Sequence, residues 1–103
     1  MVKIGKIGKE EAKRYLADVL DDKRFWCHDG KIIKNLRELR KALNDMSDDT
    51  FHYHLGGGRN DFGKWIREVV GDDKLASDFS KAKSRVQASQ TVTERISFLE
   101  RKT

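Results

Sequence analysis

The chain has 103 residues, of which 38% are charged and 37% hydrophobic, with no proline and a net charge of +5. This length suits one domain with a small core, so a pocket that encloses an organic cofactor is not expected. The charge favours anionic partners such as nucleic acid. Cys27 is the single cysteine and no apolar run is long enough for a bilayer, which predicts a cytoplasmic protein without a membrane span.

The N-terminus contains two copies of Lys-Ile-Gly and predicts a flexible or strand-like arm over residues 1–8. Two copies are too few for a repeat architecture. Lys3 and Lys6 of the arm are candidate contacts to a phosphate backbone. Residues 9–103 show no linker, and they predict a single helical domain.

Apolar residues at helical spacing predict a first helix from about Lys9 to Leu20. The segment 25–33 is different, because Asp29-Gly30 separates aromatic from β-branched residues and so predicts a small hairpin. An isolated hairpin is marginally stable, so this one is expected to pack on helices. The residues expected on the buried face of the first helix are Ala12, Tyr15, Leu16, Val19 and Leu20.

Capping residues mark the helices that follow. Asn35, with Glu38 three positions later, predicts a helix that continues to about Asp45. Ser47 predicts a short helix that ends at the glycines of residues 56–58.

Asn60 begins the clearest amphipathic helix of the chain, and Gly71 is the expected left-handed residue at its end. The inward residues of this helix are Phe62, Trp65, Ile66, Val69 and Val70.

Asp72 or Asp73 is expected to cap the next helix, and Val86 is expected on the inward face of that helix. The pattern weakens over residues 89–91, and a last helix is expected to about Lys102. The fold class predicted from these elements is mostly α, a compact bundle of about five or six short helices with a small β-hairpin near residues 25–33.

Candidate metal ligands are few and poorly spaced. Cys27 and His28 are adjacent, whereas zinc-binding pairs are usually separated by two to four residues. His52 and His54 point to different sides of a helix. We therefore predict no metal site and no cofactor, and we expect His54 to brace the next helix through Asp61 or the loop backbone.

Catalytic motifs are not evident either. No serine lies in a Gly-x-Ser-x-Gly elbow, and Cys27 in a strand is expected to be a buried, inert thiol. A glycine-rich turn followed by Arg59 can bind phosphate at a helix start, but no Walker pattern accompanies it, so a loop is expected. We predict that the protein is not an enzyme.

Basic residues are concentrated between positions 31 and 41. This segment has five cations and one carboxylate, Glu38, which gives a local charge of +4. The helical members lie opposite the leucine stripe, where they can follow a phosphate backbone; a solvated face is the alternative. A second basic group is Lys81, Lys83 and Arg85. No aromatic residue interleaves these runs, so a stacking platform is not expected. The five cations of the first group are Lys31, Lys34, Arg37, Arg40 and Lys41.

A spaced set of residues covers most of the chain from Phe25 to about Leu99. Its most specific members are Asn60-Asp61-Phe62, Trp65-Ile66, Gly71-Asp72 and Leu75-Ala76. In this set the chain resembles a small prokaryotic, largely archaeal, domain family of unknown function. The resemblance implies a compact helical domain without a known activity, cofactor or catalytic residue. It suggests structural roles for His54, Asn60, Asp61, Phe62 and Trp65.

The function predicted from the sequence is a non-catalytic, small cytosolic binding or accessory domain. Its expected partner is DNA or RNA, contacted at the backbone by the basic helix. The alternative is a protein-interaction or homo-oligomerisation module that uses an exposed face of the last helices. A small metal-dependent activity through the histidines is a third possibility.

Overall fold

A computed structural model describes residues 7–103, so Lys3 and Lys6 of the predicted arm lie outside the described residues. Over these described residues, six α-helices and one antiparallel hairpin confirm the predicted class, a small α bundle with a β-hairpin. In chain order the elements are α1 (Lys9–Leu16), β1 (Phe25–Trp26), β2 (Ile32–Ile33), α2 (Leu36–Asp45), α3 (Asp48–Leu55), α4 (Asp61–Trp65), α5 (Asp73–Ser80) and α6 (Arg85–Lys102).

The first helix is shorter than predicted. α1 ends at Leu16, because Ala17 is extended and the Val19 N–H donates to the Lys34 carbonyl oxygen at 2.8 Å. This bond ties the chain after α1 to the residue that follows β2. The prediction that Leu20 is buried is therefore wrong, since 73% of this residue is exposed.

The hairpin forms where Asp29-Gly30 predicts it. Phe25 pairs with Ile33 and Trp26 with Ile32. The Gly30 N–H donates to the Cys27 carbonyl oxygen at 2.9 Å, and Gly30 has a φ of 93°, which favours glycine. The turn therefore needs the glycine that the sequence supplies.

The predicted caps of the central helices are confirmed. Asn35 accepts the Glu38 N–H at 2.8 Å, and Ser47 accepts the Thr50 N–H at 3.1 Å. The Glu38 side chain in turn accepts the N–H of Lys34 at 3.0 Å, one residue before the position that a capping box uses.

The helix that begins after Asn60 changes form at its centre. Asn60 accepts the Gly63 N–H at 3.1 Å and caps α4, which a π-helical turn continues over Ile66–Val70. Gly71 closes the turn at a φ of 90°, with its N–H donating to the Ile66 carbonyl oxygen. The spacing of the apolar residues predicts the helix and its end, but not this wider turn.

The last two helices divide at a different place than predicted. α5 begins after Asp72, which accepts the Leu75 N–H at 3.1 Å, and it ends at Ser80. α6 begins after the cap Ser84 and continues without a break through residues 89–91. The prediction of an inward Val86 is wrong, because Val86 lies in the first turn of α6 and is 57% exposed.

The core joins the hairpin to the helices. α6 packs against α1, α2 and α5, and α2 packs against β2. The Phe25 ring stacks on Phe62 at 4.9 Å between ring centroids and meets the edge of Trp65 at 6.0 Å. The Trp65 indole N–H donates to the carbonyl oxygen of Lys23 at 2.8 Å. Phe62 and Trp65 are thus buried as predicted, and they anchor the hairpin.

Candidate nucleic-acid interface

α2 directs its leucines into the core and most of its cations outward. Leu36, Leu39 and Leu43 are fully buried. Arg37 and Lys41, one turn apart, are exposed. Arg40 is half-buried at the edge of this face, and no described acidic group forms an ion pair with it. The predicted opposition between a leucine stripe and a basic face is confirmed.

Two carboxylates outside residues 31–41 contact two of the cations. The Arg37 guanidinium donates to Glu100 of α6 at 2.9 and 3.2 Å. Lys41 Nζ donates to Asp45 at 2.8 Å, and this bond raises the pKa of Lys41 and lowers the pKa of Asp45. With Asp45 and Glu100 included, the local charge falls from +4 to +2.

Both ion pairs are exposed, which limits their strength. The side chains of Arg37 and Glu100 are 46% and 48% exposed, and Lys41 is 79% exposed. Exposed ion pairs contribute little to stability, because solvent screens the charges and the long side chains lose entropy when they pair. A phosphate can therefore replace either carboxylate at little energetic cost.

A groove between β2 and α2 brings the remaining basic residues together. Lys31 lies on the β2 side and Lys41 on the α2 side, and Ile32 and Ala42 also line the groove. Two carboxylates, Glu38 and Asp45, line it together with the two lysines. We call this feature the hairpin groove. Lys34 lies beyond its end, and its backbone is fixed by hydrogen bonds to Glu38 and Val19.

The second basic group does not form one surface. The Arg85 guanidinium donates to the Leu43 carbonyl oxygen at 2.8 Å and to Asp48 at 2.9 Å, so it closes the end of α2. Lys81 and Lys83 are exposed between α5 and α6. Arg85 is therefore a structural residue.

His54 is held on both ring nitrogens. Its Nε2 accepts the His28 N–H at 3.0 Å, and its Nδ1 lies 2.9 Å from Asp61. Because the backbone N–H must donate to Nε2, the ring proton is on Nδ1 and is donated to Asp61. The predicted brace is confirmed, and it joins the hairpin turn to the start of α4. In residues 7–103, no three His, Cys, Asp or Glu side chains form a metal-binding group.

The other two candidates for chemistry occupy structural positions. Cys27 is 6% exposed, and burial raises the pKa of its thiol. After the three glycines, the Asn60 side chain accepts the N–H of Gly63, and the Arg59 guanidinium donates to Asp61 at 2.7 Å. The polar groups that a phosphate would need at this turn are thus engaged within the protein.

Sequence reasoning missed a set of exposed aromatic residues beside the hairpin groove. Trp26 is 72% exposed and Tyr53 is 45% exposed. The His28 ring stacks on Tyr53 with 3.8 Å between centroids. The alternation of segment 25–27, with Phe25 and Cys27 inward, is the signal that could have placed Trp26 outward, whereas the exposure of His28 at the hairpin turn was expected.

Comparisons with protein-family models, curated proteins and solved structures find no match to this chain. Membership of the family that the sequence resembles therefore stays a prediction. Over residues 7–103, no helix combines the length and apolar character needed to cross a bilayer.

Proposed function

We propose that the protein is a non-catalytic binding domain that contacts the backbone of nucleic acid through the basic face of α2 and the hairpin groove. The observation that carries the proposal is the approach of Lys31 and Lys41 from opposite sides of that groove. Cations on two different elements can contact successive phosphates of one strand. Lys34, Arg37 and Arg40 extend this positive surface, and the net charge of +5 is consistent with such a partner.

Salt dependence tests the electrostatic part of the proposal. Two or three phosphate contacts give a slope of log affinity against log salt of roughly −1.4 to −2.1 for a single strand and −1.8 to −2.7 for a duplex. Fluorescence anisotropy of a labelled oligonucleotide, measured over a salt series with the full chain, gives this slope. Absence of binding to DNA and RNA at low salt would refute the proposal.

A charge-matched pair of variants tests the location. We expect the double variant Lys31→Glu, Lys41→Glu to lower affinity at least about ten-fold and to reduce the salt slope. The control is Lys81→Glu, Lys83→Glu, which makes the same charge change at two exposed sites between α5 and α6. Equal losses in the two double variants would indicate attraction by net charge and not a site. Lysine-to-glutamate substitution at Lys3 and Lys6, which lie outside the described residues, tests whether the predicted arm also contacts the nucleic acid.

A second candidate is a protein-interaction or self-association module. The observation in its favour is Leu20, which is 73% exposed on the edge of a groove that Val69 and Val70 also line. Large contiguous apolar patches mark interaction sites, and Leu20 supplies the exposed apolar side chain of this groove. Light scattering of the purified chain over a concentration series tests self-association, and Leu20→Asp is expected to abolish it.

A further inference from the structure

The outer face of the hairpin continues into an aromatic surface on α3. Trp26 of β1 and His28 of the hairpin turn are both exposed, and the His28 ring lies flat on Tyr53 at 3.8 Å with an angle of 16° between the rings. The Arg59 guanidinium lies 4.6 Å from the centroid of the Tyr53 ring. We call Trp26, His28 and Tyr53 the aromatic row.

Buried contacts hold the aromatic row in place. The backbone N–H of His28 donates to His54, which is 4% exposed and is itself held by Asp61. The same Asp61 accepts from Arg59, and Tyr53 and Asp61 together raise the pKa of Arg59. The His28–Tyr53 end of the row is thus preorganised, which lowers the entropic cost of binding a ligand there.

The aromatic row adjoins the hairpin groove. Trp26 pairs across the hairpin with Ile32, and Ile32 lines the groove together with Lys31 and Lys41. The two lysines therefore lie beside the Trp26 end of the row, whereas Arg59 at the other end is paired with Asp61 at 2.7 Å. An exposed flat ring next to lysine side chains matches a polymer that alternates planar bases with phosphates.

We infer that the aromatic row is a base-stacking surface and that the nucleic acid of the proposed function is single-stranded. This inference rests on the proposed function, because the phosphates are contacted at the hairpin groove. Bases of a duplex are stacked on each other and do not present their faces to a protein. A single strand exposes those faces, and aromatic side chains bind them with little dependence on sequence. The sequence-based expectation against a stacking platform considered only neighbours along the chain, whereas the hairpin brings Trp26 beside the two lysines of the hairpin groove.

The test compares oligo(dT) and oligo(U) with a duplex of equal length, by anisotropy at low salt with the full chain. We expect the wild-type protein to prefer a single strand. Trp26→Ala is expected to weaken this binding about five- to 150-fold, the effect of losing one stacked base, without changing the salt slope. Trp26→Phe is expected to retain part of the affinity.

Tryptophan fluorescence gives a second readout. The chain has two tryptophans, and Trp65 is buried, so a stacked base quenches Trp26 selectively. Quenching by oligo(dT) is expected in the wild-type protein and is expected to disappear in Trp26→Phe. Because Trp26 is 72% exposed, its variants are expected to keep the wild-type thermal midpoint, which a melting curve checks.

The outcomes separate the two proposals. If Trp26→Ala binds like the wild-type protein, or duplex and single strand bind equally, the stacking inference is overturned while loss of binding in Lys31→Glu, Lys41→Glu still supports the proposed function. If the wild-type protein binds no oligonucleotide, both fail. If light scattering instead detects oligomers that Trp26→Ala dissociates, the row is a self-association surface and the stacking inference is overturned.

Discussion

Arg95 of α6 forms a two-point ion pair with Asp72, the N-cap of α5, with N···O distances of 2.8 and 2.9 Å. Asp72 is 1% exposed, and its carboxylate also accepts the Leu75 N–H at 3.1 Å. One buried carboxylate therefore fixes the start of α5 and attaches α6 to it. Truncation of the arginine leaves this charge buried without its cation.

We expect Arg95→Met to lower the free energy of unfolding by about 3–5 kcal/mol, the cost of breaking a buried ion pair from one side. Urea denaturation followed by circular dichroism measures the change. The control is Lys74→Met, which removes an exposed pair to Asp78 and is expected to cost less than about 1 kcal/mol. Similar losses in the two variants would contradict the structural role of the Arg95 pair.

The two tryptophans form a second matched pair for stability measurements. Trp65 is 6% exposed and donates a hydrogen bond to the Lys23 carbonyl oxygen, so Trp65→Ala is expected to cost about 3–5 kcal/mol. Trp26→Ala removes an exposed ring, and its effect on the free energy of unfolding is expected to stay within about 0.5 kcal/mol. A thermal melt in which both variants behave alike would contradict the assigned burial.

Acid is expected to weaken the brace between α3 and α4. Burial on its own raises the pKa of Asp61, but the hydrogen bonds from His54 and Arg59 outweigh this effect and lower the pKa below its ordinary value of 3.8. A carboxyl group with a lowered folded-state pKa stabilises the fold fully above its unfolded-state pKa. That contribution is lost as the pH falls through the folded-state value.

Asp61→Asn is therefore expected to be less stable than the wild-type protein at neutral pH, and the difference is expected to shrink as the pH falls below 3.8. Urea denaturation at a series of pH values measures this difference in the free energy of unfolding. Asp73→Asn is the control, since Asp73 is the first residue of α5 as Asp61 is of α4, but it is exposed. A difference that does not change with pH would show that Asp61 acts through packing alone.

Gly63 allows Asn60 to cap α4 at close range. A Cβ at Gly63 would lie 2.5 Å from Asn60 Nδ2, so the capping side chain has to move. We expect Gly63→Ala to cost about 1 kcal/mol or more, the value of a lost cap, instead of the small gain usual for alanine in a helix. Gly56→Ala is the control, because no described atom beyond its chain neighbours lies within 4 Å of its added Cβ. A stabilised Gly63→Ala would contradict the close cap.

Short-range features could be predicted from the sequence because their causes lie within about four residues. Asn35, Ser47, Asn60 and Asp72 each cap the N–H three positions later, as their residue types favour. The hairpin and the left-handed Gly71 follow from equally local signals. Ser84 is a cap of the same kind, but the apolar residues expected in α5 obscured it, so the break before α6 was misplaced.

The sequence by itself determined the helical class, the main capping residues and the opposition of cations and leucines on α2, because periodicity and capping are local. Only the tertiary structure decided which charges and rings meet. Arg37 reaches Glu100 across 63 positions, and Trp65 reaches Lys23 across 42. Trp26 comes to the hairpin groove through the pairing of β1 with β2. Such contacts depend on how the elements pack around the core, so no spacing in the sequence encodes them directly. The net charge of +5 is thus distributed over a basic face on α2 and a hairpin groove in which two lysines and two carboxylates meet, beside the aromatic row.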